Sequence, residues 1–136
     1  MPLFNICVIT GGNKVLQIGL AFLSDEKTES YSWVICQLVE VMKSQNIQQP
    51  LSIVTDRELA LINSIDTFLP QSSHILCRWH VNINVLAKTK TFFPKPVKGD
   101  DGIIRRHPKF KEFMTDWISV LNSSTLDEYQ KNLDHL

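Results

Sequence analysis

At 136 residues with a formal net charge of zero, the chain has room for one domain with a real core and no overall basic excess of the kind that marks a free-standing nucleic-acid binder. Hydrophobic residues make up 43% of it, an ordinary globular share, and no apolar run approaches the roughly 18 residues of a membrane span, which argues against a membrane protein. The opening MPLFNICVITGG lacks the basic start and apolar length of a signal peptide, and the three widely spaced cysteines, Cys7, Cys36 and Cys77, suit reduced thiols in an intracellular compartment.

Pro2 to Thr10 is rich in β-formers, Gly11-Gly12-Asn13-Lys14 supplies a turn, and Val15 to Leu23 is apolar again. This predicts a β-hairpin. Both arms are nearly continuous in apolar residues, so at least one face of each is expected to pack under other structure. Ser24 to Ser30 is polar and reads as a loop. From Tyr31 the period turns helical, with Val34, Ile35, Leu38, Val39, Val41 and Met42 spaced by three and four through about Ser44. Leu51 to Val54 is a short buried strand. Thr55 with Glu58 reads as a capping box for a helix carrying Leu59, Ile62, Ile65 and Leu69 and ending at Pro70.

Ser73 to Leu76 reads as another strand, and Trp79 to Ala87 as a helix with Val81 and Val85 on one face. Phe92 to Pro108, with three prolines and two glycines, is a loop or insertion. Lys109 to Leu121 carries an apolar stripe of Phe110, Phe113, Trp117, Val120 and Leu121. Thr125-x-x-Glu128 caps a last helix. Residues 1–90 thus form an α/β core, and residues 91–136 a basic loop with C-terminal helices.

Charge is unevenly spread. Residues 78–111 hold nine of the fourteen basic side chains, including Arg78, Lys88, Lys90, Lys95, Arg105 and Arg106, against only Asp100 and Asp101. A segment of about +7 can track a phosphate backbone; the plainer reading is a solvated loop and helix surface.

The run Leu51 to His80 carries the chemistry. Asp56 ends a short apolar strand, and Cys77-Arg-Trp-His80 puts two soft ligands three residues apart after the next one. The order of elements, with Phe22 and Leu23, Ser30-Tyr31-x-Trp33, Val54-Thr55-Asp56, Phe68-Leu69-Pro70 and His74-x-x-Cys77-x-x-His80, resembles the Mutator-like (MULE) transposase domain. The resemblance runs from about Pro2 to Lys88, with an echo at Thr125-Leu-Asp-Glu128-Tyr129. The same core occurs in plant transcription factors domesticated from such elements.

The resemblance implies a ribonuclease H-like fold, a nuclear location and DNA, the transposon ends, as partner. It implies three acidic residues holding two Mg²⁺ or Mn²⁺ ions that activate water or a DNA 3′-hydroxyl. Asp56 stands where the second acid belongs, and so is the expected metal ligand. Glu128 is the best match for the third, with Glu112 behind it. The first acid belongs on a strand before the hairpin, and no such strand precedes residue 2. The expectation is therefore an N-terminally truncated copy, derived from a DNA-cleaving and strand-transferring enzyme and itself inactive. The basic residues Arg78, Lys88, Lys90, Arg105 and Arg106 are the candidate DNA contacts.

Plainer roles stand beside these. Asp56 can simply suit the N-terminus of its helix, and Glu128 can simply close its cap with Thr125. Cys77 and His80 have the spacing of half a zinc site, with only His74, His107, Cys36 and Cys7 available to complete it; a local structural or DNA-orienting role suits the pair better. Trp33, Trp79 and Trp117 are expected in the core rather than as base-stacking platforms, and Cys7 and Cys36 are expected to be inert. Two further readings remain open: a domesticated nuclear module that binds DNA or protein without catalysis, and a small zinc-binding α/β protein.

Overall fold

Two apolar runs either side of a short turn satisfy their backbone groups most directly by pairing with each other. In the computed structural model, which describes residues 1–136, β1 (Leu3–Ile9) and β2 (Val15–Phe22) form an antiparallel hairpin. The turn closes with Asn13 N–H donating to Thr10 O at 2.8 Å and Thr10 N–H to Lys14 O at 2.9 Å. Asn13 sits at φ 56°, a left-handed conformation that asparagine tolerates better than most residues. The register slips between Ile6 and Cys7, a bulge that locally bends and twists the ribbon.

Helix α1 (Thr28–Ser44) follows. Its end is fixed by two bonds: Ile47 N–H donates to Met42 O at 2.8 Å and Asn46 N–H to Lys43 O at 3.1 Å, with Asn46 at φ 54°. This pairing of 6→1 and 5→2 bonds is a Schellman stop with asparagine in the position usually held by glycine. Next, β3 (Ser52–Thr55), α2 (Leu59–Phe68) and β4 (Ser73–Leu76) make a βαβ unit whose strands are parallel, with Ser52 opposite Ser73 and Thr55 opposite Leu76. Parallel strands need a crossover of this kind, and α2 supplies it.

The core lies between α1 and α2. Leu23, Tyr31, Val34, Ile35, Val39, Leu61, Ile65 and Leu69 are buried together, and Phe4, Ala21, Ile53 and Phe68 lean on them from the strands and from α2 itself. Ser64 is wholly buried in this interface. Its hydroxyl lies 3.0 Å from Ser32 Oγ, 2.9 Å from Ala60 O and 3.3 Å from Thr28 O, so the buried polar group is satisfied from both helices. Although Phe4 and Ile53 reach the same core, β1–β2 and β3–β4 are separate two-stranded sheets.

The chain divides into two compact units, Met1–Cys77 and Arg78–Leu136. The second contains α3 (Arg78–Thr89), the short antiparallel pair β5 (Val97–Lys98) and β6 (Ile104–Arg105), α4 (Pro108–Leu121) and α5 (Leu126–His135). Pro108 opens α4 at a position where a missing N–H costs nothing, and His107 Nδ1 accepts from Lys109 N–H at 3.3 Å. Helices α4 and α5 are tied by Asn132, whose amide donates to Ser119 O at 3.2 Å and Ser123 Oγ at 3.0 Å.

The structure corrects several sequence expectations. The predicted cap Thr55 is the last residue of β3; α2 starts four residues later, capped by Glu58, whose Oε1 accepts Ala60 N–H at 3.2 Å. Strand pairing wins because Cys77 N–H extends the ladder onto Thr55 O. The hairpin is less covered than its apolar arms suggested. Only the Phe4 and Ala21 end reaches the core, while Ile9, Val15, Leu16 and Leu20 are exposed. On α2 the buried stripe runs through Leu61 and Ile65, and Leu59 is 62% exposed. Val41 of α1 is likewise exposed. Trp33 and Trp79 lie at the surface, 57% and 63% exposed, rather than in the core. Finally, the Pro/Gly-rich segment holds the β5–β6 pair, too short to leave a periodic signal.

Candidate functional site

Thr55, the last residue of β3, brings its neighbours to the carboxyl end of the parallel pair, the edge where open α/β sheets commonly place ligands. Its hydroxyl donates to Asp56 O at 2.8 Å and lies 2.7 Å from His74 Nε2 on β4. One hydroxyl carries one proton, so with that proton on the Asp56 carbonyl the imidazole is the donor, through Nε2–H. Cys77 N–H donates to Thr55 O at 2.6 Å. The backbone that presents Asp56 is thus held from both sides, while its side chain is exposed.

Electrically this end is acidic. The Tyr31 hydroxyl is pushed above its ordinary value of 10.0, first by burial and then by the charges of Glu26, Glu58 and Asp56. A phenol in the field of three carboxylates resists gaining a charge of the same sign. This grouping was not visible in the sequence: Glu26 and Tyr31 lie far along the chain from Asp56 and Glu58, and only the fold brings them into one field. Tyr31 belonged to the quoted motif, but nothing there singled out Glu26.

A centre for two divalent ions needs several convergent carboxylates. Asp56 offers one, and within neither unit do three or more His, Cys, Asp or Glu side chains come together as ligands. The residues present do not fit such a centre. Glu128, in the second unit, is engaged locally: its N–H donates to Thr125 Oγ1 at 3.2 Å and its carboxylate accepts from Ser124 N–H at 2.8 Å. That is the reciprocal bonding of a helix cap. Glu112 is exposed on α4. Cys77 is a free, half-buried thiol, and Cys7 lies exposed on the hairpin. His80 packs edge-on against Trp79 with ring centroids 4.7 Å apart, and its Nδ1 is buried without a hydrogen-bond partner. Trp117 is half-buried and donates from Nε1 to Asn82 Oδ1 at 2.9 Å.

The five candidate DNA-contacting cations sort by what already occupies them. Arg105 is paired with Asp101, two nitrogens facing two oxygens, one of these contacts at 2.8 Å. Asp101 is correspondingly held below the usual carboxylate range, chiefly by the Arg105 bond. Arg78 donates to Asn122 Oδ1 at 2.7 Å, which orients it but leaves its charge. The structure's two ion pairs are Lys27–Asp25 and Arg105–Asp101, so Lys88, Lys90 and Arg106 carry uncompensated charge. The Arg106 guanidinium lies 4.8 Å over the Phe110 ring, a cation–π geometry.

Comparison with known proteins places most of the chain in one family. The family described as MULE transposase domain matches residues 1–84. A PKS-NRPS hybrid synthetase, cheA, of Chaetomium globosum is 29% identical over 120 residues, 88% of this chain and 2% of that protein. From Arabidopsis thaliana, FAR1-RELATED SEQUENCE 10 is 21% identical over 94% of this chain and 16% of its own length. FAR-RED IMPAIRED RESPONSE 1 is 24% identical over 80% of this chain and 12% of its own length. The chain therefore spans at most about a sixth of these relatives. No solved structure matches it.

Proposed function

The chain belongs to the MULE transposase domain family, and from that premise we propose that these 136 residues form a transposase-derived DNA-binding module that does not itself cleave DNA. The observation that carries this reading is a contrast. The one strand-end carboxylate, Asp56, has no companion ligands gathered in its unit, while Lys88, Lys90 and Arg106 carry charge that no carboxylate offsets. Arg78 adds a fourth cation, and Arg105 a pair that phosphate would first have to separate. The partner is the DNA of transposon ends, and the place of action is the nucleus.

The core is read as ribonuclease H-like. What supports it is the succession of antiparallel hairpin, helix and βαβ unit with the acid at the carboxyl end of β3. Two strand pairs lean on one helix pair without bonding to each other. One strand between β1 and β3 would join them into the continuous sheet of that fold. In a competent enzyme of the family Asp56 would be one ligand to Mg²⁺ or Mn²⁺; here its companions are not assembled, and Glu128 serves its cap. Cys77 and His80 are read as structural, each packed within its own unit.

The test is incubation of the purified chain with supercoiled plasmid and with duplex oligonucleotides, in Mg²⁺ or Mn²⁺. The expected result is duplex binding that weakens steeply with salt and no nicked product. Nicking that disappears in Asp56→Asn would overturn the non-cleaving reading, and salt-independent binding would overturn the electrostatic one. A second reading, a closed zinc site on Cys77 and His80, would be established by stoichiometric zinc in the purified protein that Cys77→Ser removes.

A further inference from the structure

The second unit contains a cleft of about 360 Å³ between the end of α3, the segment after it and the start of α4, lined by Lys90, Phe93, Lys95, Arg106, His107 and Phe110. That volume is at the small end of ligand sites. Its walls are aromatic. Phe93 meets Phe110 edge-on with centroids 5.4 Å apart and Phe113 at 5.9 Å, and Phe110 is buried. Its rim is cationic. Lys90, Lys95 and Arg106 are exposed, none takes part in an ion pair, and no carboxylate lines the cleft. Pro94 and Pro96, which also line the cleft, flank Lys95 and fix their own backbone φ.

We propose that this cleft receives one unpaired nucleotide of single-stranded DNA, its phosphate on Lys90 and Lys95 and its base on the outer face of the Arg106 guanidinium. The proposal rests on the DNA-binding reading above and deepens it. The guanidinium carbon of Arg106 lies 4.8 Å from the centroid of the buried Phe110 ring while the residue itself is exposed, and a guanidinium plane stacks on a base as an aromatic ring does. A duplex turns its bases inward and presents a convex rail of phosphates. It can use the cations but not the concave aromatic wall. An unpaired strand uses both, the usual combination of single-strand binders.

The experiment measures anisotropy of a labelled oligo-dT of about 15 nucleotides, close to the upper site size of single-strand binders, an abasic strand of the same length and a duplex. Each is titrated from low to moderate salt with the full chain. Single-strand binding is expected to be tighter than duplex and abasic binding, and the two phosphate-contacting lysines of the cleft should contribute about −1.4 to its log–log salt slope, since each contributes about 0.7. Lys90→Ala and Lys95→Ala should each flatten that slope by about 0.7. Arg106→Lys should keep the slope and weaken oligo-dT about tenfold, with no change on the abasic strand. Lys43→Ala, on α1, should match the parent chain.

Equal affinity for oligo-dT and the abasic strand would overturn the base-stacking assignment, and slopes unchanged in Lys90→Ala and Lys95→Ala would overturn the cleft. Preference for an oligo-rU of equal length would reassign the ligand to RNA and overturn the DNA assignment. If duplex binding persists while these variants do nothing, the cleft fails and the DNA-binding module stands. Absence of binding to every nucleic acid removes both.

Discussion

Alanine substitutions at Ile65, Leu61 and Leu59, compared with one another, separate the observed phase of α2 from the one its sequence suggests. Ile65 is 1% exposed, within the α1–α2 core. Truncation to alanine deletes three carbon atoms, about 2.4 kcal/mol of transfer free energy at roughly 0.8 per methylene, and leaves a cavity that adds to it. The expected loss is about 3 kcal/mol, inside the range of about 2–5 for such changes. With a urea slope of about 2 kcal/mol/M, the midpoint of unfolding followed by circular dichroism should fall by about 1.5 M. Leu59, the first residue of α2, lies outside the core and is 62% exposed; Leu59→Ala should stay within about 0.5 kcal/mol. Leu61→Ala, at a position 6% exposed, should resemble Ile65→Ala. Equal losses at Leu59 and Ile65, or a silent Leu61→Ala, would refute the packing of α2 on α1.

Two expectations concern pH. Tyr31 has its hydroxyl pushed above 10.0 by burial and by Glu26, Glu58 and Asp56; the native state holds this proton more tightly than the unfolded chain does. That contribution is fully present below pH 10.0 and is lost as pH rises through the native value. Tyr31→Phe should therefore flatten the decline of stability in alkaline solution, and an unchanged alkaline limb of the urea midpoint would contradict the placement. Asp101 is held below 3.8, mainly by Arg105 and then by Ile103 N–H. Its stabilisation is present above that ordinary value and is lost as pH falls through the native one. The Ile103 amide resonance should move with this step in the parent chain, and in Arg105→Ala the step should shift toward 3.8.

Much of the fold was legible because the signals are local. Gly11-Gly12-Asn13-Lys14 between two apolar runs allows little but a hairpin, Tyr31 to Ser44 repeats with a helical period, and Thr125 with Glu128 forms the cap that their spacing predicts. The order hairpin, helix, strand, helix, strand, with the motifs it carries, was enough to point to the family. Where prediction failed, a tertiary partner displaced a local one. Thr55 had the spacing of a cap, but a strand beside it offered its backbone a ladder and its hydroxyl met His74. Leu59 and Leu61 are equally apolar in sequence, and only the position of α1 decided which of them was buried.

Asp56 shows the division most clearly. Its place at the end of a strand is a property of the residues around it, written in Val54-Thr55-Asp56 and in the helix that follows. Whether it has company is not, because Glu26 and Tyr31, which share its field, come from the loop before α1 and from α1 itself. The charge of residues 78–111 divides the same way. Composition shows that it is there, but folding ties Arg105 to Asp101 and leaves Lys90, Lys95 and Arg106 unpaired around an aromatic cleft. Local preference is settled by neighbours along the chain; burial and pairing are settled by neighbours in space, and only the tertiary structure supplies those.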